Sequence, residues 1–485
     1  MKTISRHRFA AGLLSVLALS GAACATNPAT GERQISLVSE SQEIQMGREA
    51  DQAIVAQLGL YPDESLQQYV QQLGSRLAAT SERPDLPWTF RVVDDPTVNA
   101  FALPGGFIYV TRGIMAYLES EAQLVSVLGH EIGHVTARHS VEQMSRQQLA
   151  QIGLAVGTII RPDLAGVFDV AGAGLGLLFL KYGRDDERQS DDLGLRYMTR
   201  ANYDPREMPD VFGLLEQVSQ VEGAGRVPEW LSTHPDPGNR RDRITEAIAA
   251  LPDQDFSNAI VRGPEYVQRL DGMAFGQNPR EGFFRDSEFL HPELAFELAF
   301  PQGWQTANQK QAVLAGSPNE DAILQLTLAT QTSAVAAANA FLGQEGLEAG
   351  TPQRGDINGL PAVSAPFAAA TQSGTVQGRA AWVEYGGNVY QLLGYAVQSQ
   401  WSSYETAISR TIQSFDRLTD ASALNVQPLR LDIVTLDRSL TFDEFARQNP
   451  DPVDAQRLAL LNQVASGAQL SSGRLVKRVV GERTW

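Results

Sequence analysis

The sequence predicts an α+β chain in three parts. They are a mainly helical domain with a small antiparallel sheet, a strand-rich α+β accessory domain, and a small βααβ module. Three observations lead there. First, 485 residues exceed one ordinary core, and 43% hydrophobic with 20% charged residues is a globular composition. Second, apolar residues recur at helical spacing through much of 40–250, as in Leu66, Val70, Leu73 and Leu77. Third, from about residue 283 the pattern turns into short strand-like runs.

Taken in order, the chain begins with an address. Arg6, His7 and Arg8 form a basic start, and Phe9 to Leu19 is an apolar core too short for a permanent span. Small residues 20–23 lead to Cys24, the only cysteine, so no disulfide forms within one chain. Residues 1–23 read as a signal peptide, and 24–36 as a short tether with Cys24 as the lipidation site. The motif before Cys24 is imperfect, since Gly21 stands where leucine is usual. Helices are expected near 40–57 and 63–79. Strands are expected at 87–93, 99–102 and 107–110, the last two joined at Pro104-Gly-Gly106.

The stretch Val127-Leu-Gly-His-Glu-Ile-Gly-His-Val135 carries the chemistry. In His-Glu-x-x-His on a helix, His130 and His134 share one face and can bind one metal ion. Glu131 stands beside them, where a general base takes a proton from water. Ser120 and Gln123 suggest a capping box, and Leu124, Leu128, Ile132 and Val135 form the apolar stripe behind the histidines. A catalytic zinc needs a third protein ligand and an open fourth position. His139, nine residues after His130, is expected to face away. Glu187 and Asp191, four apart on a predicted helix, fit better: Glu187 as third ligand, and Asp191 as acceptor of a ligating histidine's second ring proton.

His-Glu-x-x-His, followed some fifty residues on by Arg184-x-x-Glu187-x-x-x-Asp191-x-x-Gly194, resembles the gluzincin metalloproteases of the HtpX and CAAX-prenyl-protease type, in particular their soluble periplasmic lipoprotein branch. Asn99-Ala-Phe-Ala-Leu-Pro-Gly-Gly106 and Thr233-His234-Pro235 extend the resemblance, which covers roughly residues 35–250. Ser190 departs from it, standing where the family usually has alanine. The resemblance implies a zincin-type metallopeptidase domain over 37–250 with one Zn²⁺ per chain. It also implies a functional His234, which either donates to the oxyanion or acts as a reversible fourth ligand that blocks water. No such role is carried over to Arg243. Asn99, Ala100, Phe101 and Ala102 are expected to form a strand edge that binds substrate in extended form by main-chain pairing, with a simple core hairpin as the alternative reading.

Residues 149–180 form two apolar blocks interrupted by Arg161-Pro-Asp163 and Asp169, short of the roughly 18–20 uninterrupted residues of a span. Buried helix is the plain reading; the sharper one is a mobile lid over the site, or a surface that docks on membrane proteins. Helices are expected near 186–199 and 205–219, a linker with a little helix over 251–282, and the accessory domain over 283–420. Residues 428–485 resemble a degenerate LysM module on Val434-Thr-Leu, Ser439-Leu-Thr441 and Leu460-Leu-Asn462, without the usual Gly-Asp.

The net charge of −17 disfavours nucleic acid and anionic membrane faces as partners. The expectation is a zinc endopeptidase of the periplasm, lipid-anchored to the outer membrane of a Gram-negative bacterium. It would act on misfolded or unassembled envelope proteins, beside the outer-membrane assembly machinery or peptidoglycan. Two alternatives stay open: a chaperone or assembly factor with a latent metal site, and a cell-wall peptidase.

Overall fold

The computed structural model describes residues 24–146, 182–221, 234, 237–252, 255–371 and 374–482. The leader read at 1–23 and the apolar stretch read at 149–180 lie outside the described residues. Two compact units emerge. Among the described residues, the first holds those up to Gly276 together with Arg430–Val480, and the second runs over Gln277–Leu429.

In the first unit, β1 (Cys24–Thr26) and β2 (Arg33–Ile35) pair antiparallel in the segment read as a tether. Helices α1 (Glu40–Leu58) and α2 (Glu64–Ala78) follow. Ser39 and Gln42 close a complete capping box on α1, and the Asp63 side chain caps α2 by accepting from Leu66 N–H. Three strands form one sheet: β3 (Thr89–Val93), β4 (Ala100–Leu103) and β5 (Phe107–Thr111), with β5 in the centre. The sheet is mixed rather than antiparallel, because β3 runs parallel to β5 and only β4 opposes it. The chain crosses over between β3 and β5 through β4, which leaves β4 at an edge. Ala50 and Ile54 of α1 pack with Val93, Phe101, Phe107 and Tyr109 on this sheet.

After α3 (Arg112–Tyr117) comes α4 (Glu121–Ala137), every residue of which is buried. A helix enclosed on all sides holds its side chains in single positions, as a metal site needs. Its start is capped by Ser120, whose hydroxyl accepts from Gln123 N–H at 3.0 Å. The expected reciprocal bond is redirected: the Gln123 carbonyl accepts from Glu119 N–H at 2.8 Å instead. Further on come α5 (Arg184–Arg200), α6 (Glu207–Val221), α7 (Pro237–Ala249) and α8 (Gly263–Arg269). Within 251–282, Tyr266, Leu270 and Met273 are buried, and β6 (Ala274–Phe275) joins the sheet of the carboxy-terminal segment.

That segment is a βααβ unit: strands Leu429–Thr435 and Leu475–Val480 pair antiparallel around helices Phe442–Gln448 and Ala455–Leu461. Nothing in this geometry singles out a LysM module. What it does show is attachment below the metal-site helix. The buried Lys477 donates to the carbonyls of Ala116, Leu118 and Leu461 and pairs with Glu119 at 2.8 Å. Gln463 and Gln123 exchange amide hydrogen bonds at the first turn of α4.

The second unit centres on a long antiparallel sheet in which strands 322–328, 388–397, 374–385 and 360–371 pair in that order. Alternate residues of one strand serve opposite faces. Ala381 and Val383 pack with Ile408 and Ile412 of helix Trp401–Gln413, while Ala380 and Trp382 pack with Phe341 of helix Ala334–Leu342. The whole chain is α+β.

Candidate metal centre

Helices α4 and α5 approach closely because small residues face each other. A Cβ on Gly129 would stand 3.2 Å from Gly194 Cα, and one on Gly133 would stand 3.0 Å from Ser190 Cα. This contact carries Glu187 and Asp191 to the two histidines. His130, His134, Glu187 and His234 each offer one ligand atom, all within 4.8 Å of one another and all buried. His130 Nε2 lies 3.0 Å from His134 Nε2 and 3.3 Å from His234 Nδ1. Glu187 lies 3.6, 3.4 and 2.9 Å from the same three rings.

These separations suit a single ion. Bonds of about 2.0–2.1 Å in tetrahedral geometry set ligand atoms roughly 3.3–3.4 Å apart. Three imidazoles and a carboxylate are a donor set for a transition metal. Both Glu131 carboxylate oxygens are buried without a hydrogen-bond partner among the described residues, and such a group is costly unless a ligand or water answers it.

Each ligand is oriented from behind. Asp191 Oδ1 stands 2.9 Å from His130 Nδ1, the contact expected from the sequence. Arg240, which the sequence reading did not single out, holds both acidic residues. It binds Asp191 through two nitrogens at 2.9 and 2.7 Å and pairs with Glu187 at 2.6 Å. It lies on α7, 49 residues from Asp191, so no local spacing announces it. Its guanidinium also sits over the Phe212 ring at 4.6 Å. Arg243 binds Asp192 and the carbonyl of Arg188, and stands 3.7 Å from Asp191.

His139 does not face away. The helix ends at Ala137, and Arg138 turns into the left-handed region at φ 62°, so helical arithmetic no longer applies. Arg138 is held there by bonds to Glu43 and to the carbonyl of Val38. The turn brings His139 Nδ1 to 2.9 Å from His134 Nδ1. Tyr182 stacks on the His134 ring at 3.9 Å between centroids and exchanges a hydrogen bond with Ser140.

The electrostatics follow from burial and pairing. Burial pushes the Glu131 carboxyl above its usual range, against the pull of His234 and His130. An apolar wall of Val127, Met208, Val211 and Phe212 provides that burial. Burial alone would raise Glu187 as well, but His234 and Arg240 hold it well below the carboxylate range. Arg240 does the same for Asp191. Burial keeps His134 well below the ordinary imidazole value, whereas Glu187 and Glu131 raise His234 against its burial.

At the expected substrate edge, Thr111 N–H donates to Asn99 O. Alternation along the pair then turns the N–H and C=O of Ala100 and Ala102 away from β5, and those of Asn99 and Phe101 toward it. Phe101 stacks on Tyr109 in the core. Cys24 lies in β1. His234 is described, while its neighbours Thr233 and Pro235 lie outside the described residues.

Residues 64–248 match the profile of Peptidase family M48. The beta-barrel assembly-enhancing protease of Escherichia coli (strain K12) is 33% identical over 224 residues, which is 44% of this chain and 45% of that protein. The mitochondrial metalloendopeptidase OMA1 of Schizosaccharomyces pombe is 33% identical over 227 residues, 45% of this chain and 65% of that one. The match thus spans less than half the length of the bacterial relative. Among solved structures, cyanobacterial PsbP from Synechocystis sp. PCC 6803 aligns over 28% of this chain and 95% of that chain, at 14% identity and a TM-score of 0.24. Among the described residues, no helix is long and apolar enough to cross a membrane.

Proposed function

We propose, from a segment 64–248 that matches the profile of Peptidase family M48, that the chain is a zinc endopeptidase of the bacterial envelope. The observation that carries this reading is the convergence of three imidazoles and Glu187 beside Glu131, whose carboxylate oxygens have no hydrogen-bond partner among the described residues. His130, His134 and Glu187 would hold the ion. When bound, zinc supplies a Lewis acid for the scissile carbonyl and lowers the pKa of water toward ~7.

The chain's own residues do the rest. Glu131, made more basic by its apolar wall, takes the proton of the attacking water and passes it to the leaving amine. Asp191 keeps His130 in the ligating tautomer, and Arg240 keeps Asp191 and Glu187 ionised. The N–H and C=O groups of Ala100 and Ala102 face away from β5, and both residues are buried in this structure; an extended peptide that displaces what covers them would be held by main-chain pairing, which is indifferent to its sequence. Such tolerance suits unfolded or unassembled envelope proteins as substrates. The beta-barrel assembly-enhancing protease, similar over 44% of this chain, is named for enhancing β-barrel assembly. Cys24 would anchor the protein to the outer membrane.

His234 occupies the fourth corner. Its Nδ1 stands beside His130 Nε2 and Glu187, the place that an attacking water needs. We assign it as a reversible blocking ligand. His234→Ala should therefore weaken zinc binding several-fold yet raise the rate of casein cleavage, and unchanged values for both would refute the assignment.

Zinc content of the purified chain, read by mass spectrometry beside casein cleavage, tests the main reading. One zinc per chain is expected, lost together with cleavage in Glu187→Ala. A chain that binds no zinc, or a Glu187→Ala variant that still cleaves, would overturn it.

A further inference from the structure

We propose that His139 is a positioning residue of the metal site, setting the tautomer of His134 through a hydrogen-bonded relay that ends in the amino-terminal hairpin. The proposal rests on the metal reading above and goes beyond it. His134 turns Nε2 toward His130 and Glu187. To offer a lone pair there, the ring must carry its proton on Nδ1. That nitrogen is 2.9 Å from His139 Nδ1, which must then accept. A His139 that accepts at Nδ1 carries its own proton on Nε2, and Nε2 lies 2.8 Å from Gln189 Oε1.

The end of the relay fits the same assignment. Gln189 Oε1 also accepts from Asn27 Nδ2 at 3.2 Å, so two donors meet one carbonyl oxygen and the amide orientation is determined. Ser190 Oγ stands 3.3 Å from His139 Nδ1, which gives the departure from the usual alanine a partner. Asp186 faces His139 Nε2 at 3.9 Å. Asn27 is itself buried in the turn between β1 and β2, so the hairpin after Cys24 is part of the support of the site.

The two ligand histidines are therefore backed unequally. His130 faces a carboxylate, which strengthens its donor nitrogen. His134 faces a neutral imidazole, which orients the ring and selects its tautomer with less added basicity.

The test is zinc affinity by chelator competition, with the thermal midpoint of the metal-free chain as the control for folding. His139→Phe keeps a ring and removes the acceptor. A loss of about 10–100-fold in zinc affinity is expected. His139→Asn places an amide oxygen where Nδ1 stood and should restore most of that loss, which a purely packing role would not. A folded His139→Phe with wild-type affinity overturns the proposal, and so does a His139→Asn as weak as His139→Phe. Should His139→Phe not fold, Gln189→Leu decides: a folded chain with reduced affinity supports the relay, and unchanged affinity overturns it. A wild-type chain that binds no zinc would refute the metal reading instead.

Discussion

Glu131→Gln is expected to lower peptide hydrolysis by about 100- to 10,000-fold, roughly 3–5 kcal/mol of barrier, while zinc content stays at one per chain. The amide keeps the shape of the side chain and cannot accept the proton. Both carboxylate oxygens lack a hydrogen-bond partner among the described residues, so the substitution breaks no hydrogen bond described in the resting structure and removes only the 3.7 Å charge contact with His234. Metal affinity and folding should then stay near wild type, and the loss should fall on kcat. Measuring casein cleavage and zinc content on the same preparation separates the outcomes. Cleavage retained within tenfold would remove Glu131 from the mechanism. Envelope-protein assembly that persists in cells without cleavage would move the function toward a chaperone.

Arg240→Met is expected to destabilise the metal-free chain by about 3–5 kcal/mol, because it removes the buried cation that Glu187 and Asp191 share and leaves them only their histidine neighbours and the more distant Arg243. The Arg240 side chain is 4% exposed, and Glu187 and Asp191 are more deeply enclosed. Arg240 acts against their burial and holds both below the usual carboxylate range. For depressed carboxylates the stabilisation is present above their unfolded values, 4.5 and 3.8, and is lost as pH falls through the folded ones. The gap between wild type and variant in urea midpoint should therefore be widest near pH 7 and should close in acid. Zinc should recover part of the loss, since a ligand that binds only the folded state stabilises it and its charge takes over opposite Glu187. Equal midpoints at pH 7 for the stripped proteins would show that the triad contributes nothing to stability.

Much of the site was legible because it is local. His130 and His134 share a face by helical spacing alone, as do Glu187 and Asp191, and Ser120 marks where the helix begins. Secondary structure followed apolar periodicity closely: the helix expected near 63–79 spans Glu64–Ala78, and the strand expected at 107–110 spans Phe107–Thr111. The mixed sheet was not legible, because alternation reports which faces are buried and not which way a neighbouring strand runs. The hidden partners of the site share one property, a dependence on where distant or non-helical backbone is carried.

Arg240 reaches Asp191 across 49 residues, and Lys477 reaches Ala116 across 361. His139 is only five residues from His134, yet it depended on a single left-handed residue, Arg138, whose conformation is imposed by Glu43 and Val38 on the amino-terminal segment. Sequence by itself determined the helix, the face that His130 and His134 share, and the place of Glu131 beside them. Tertiary structure decided what stands behind each ligand, because a hydrogen-bond partner is selected by distance in space, and sequence spacing reports distance only while the chain stays regular.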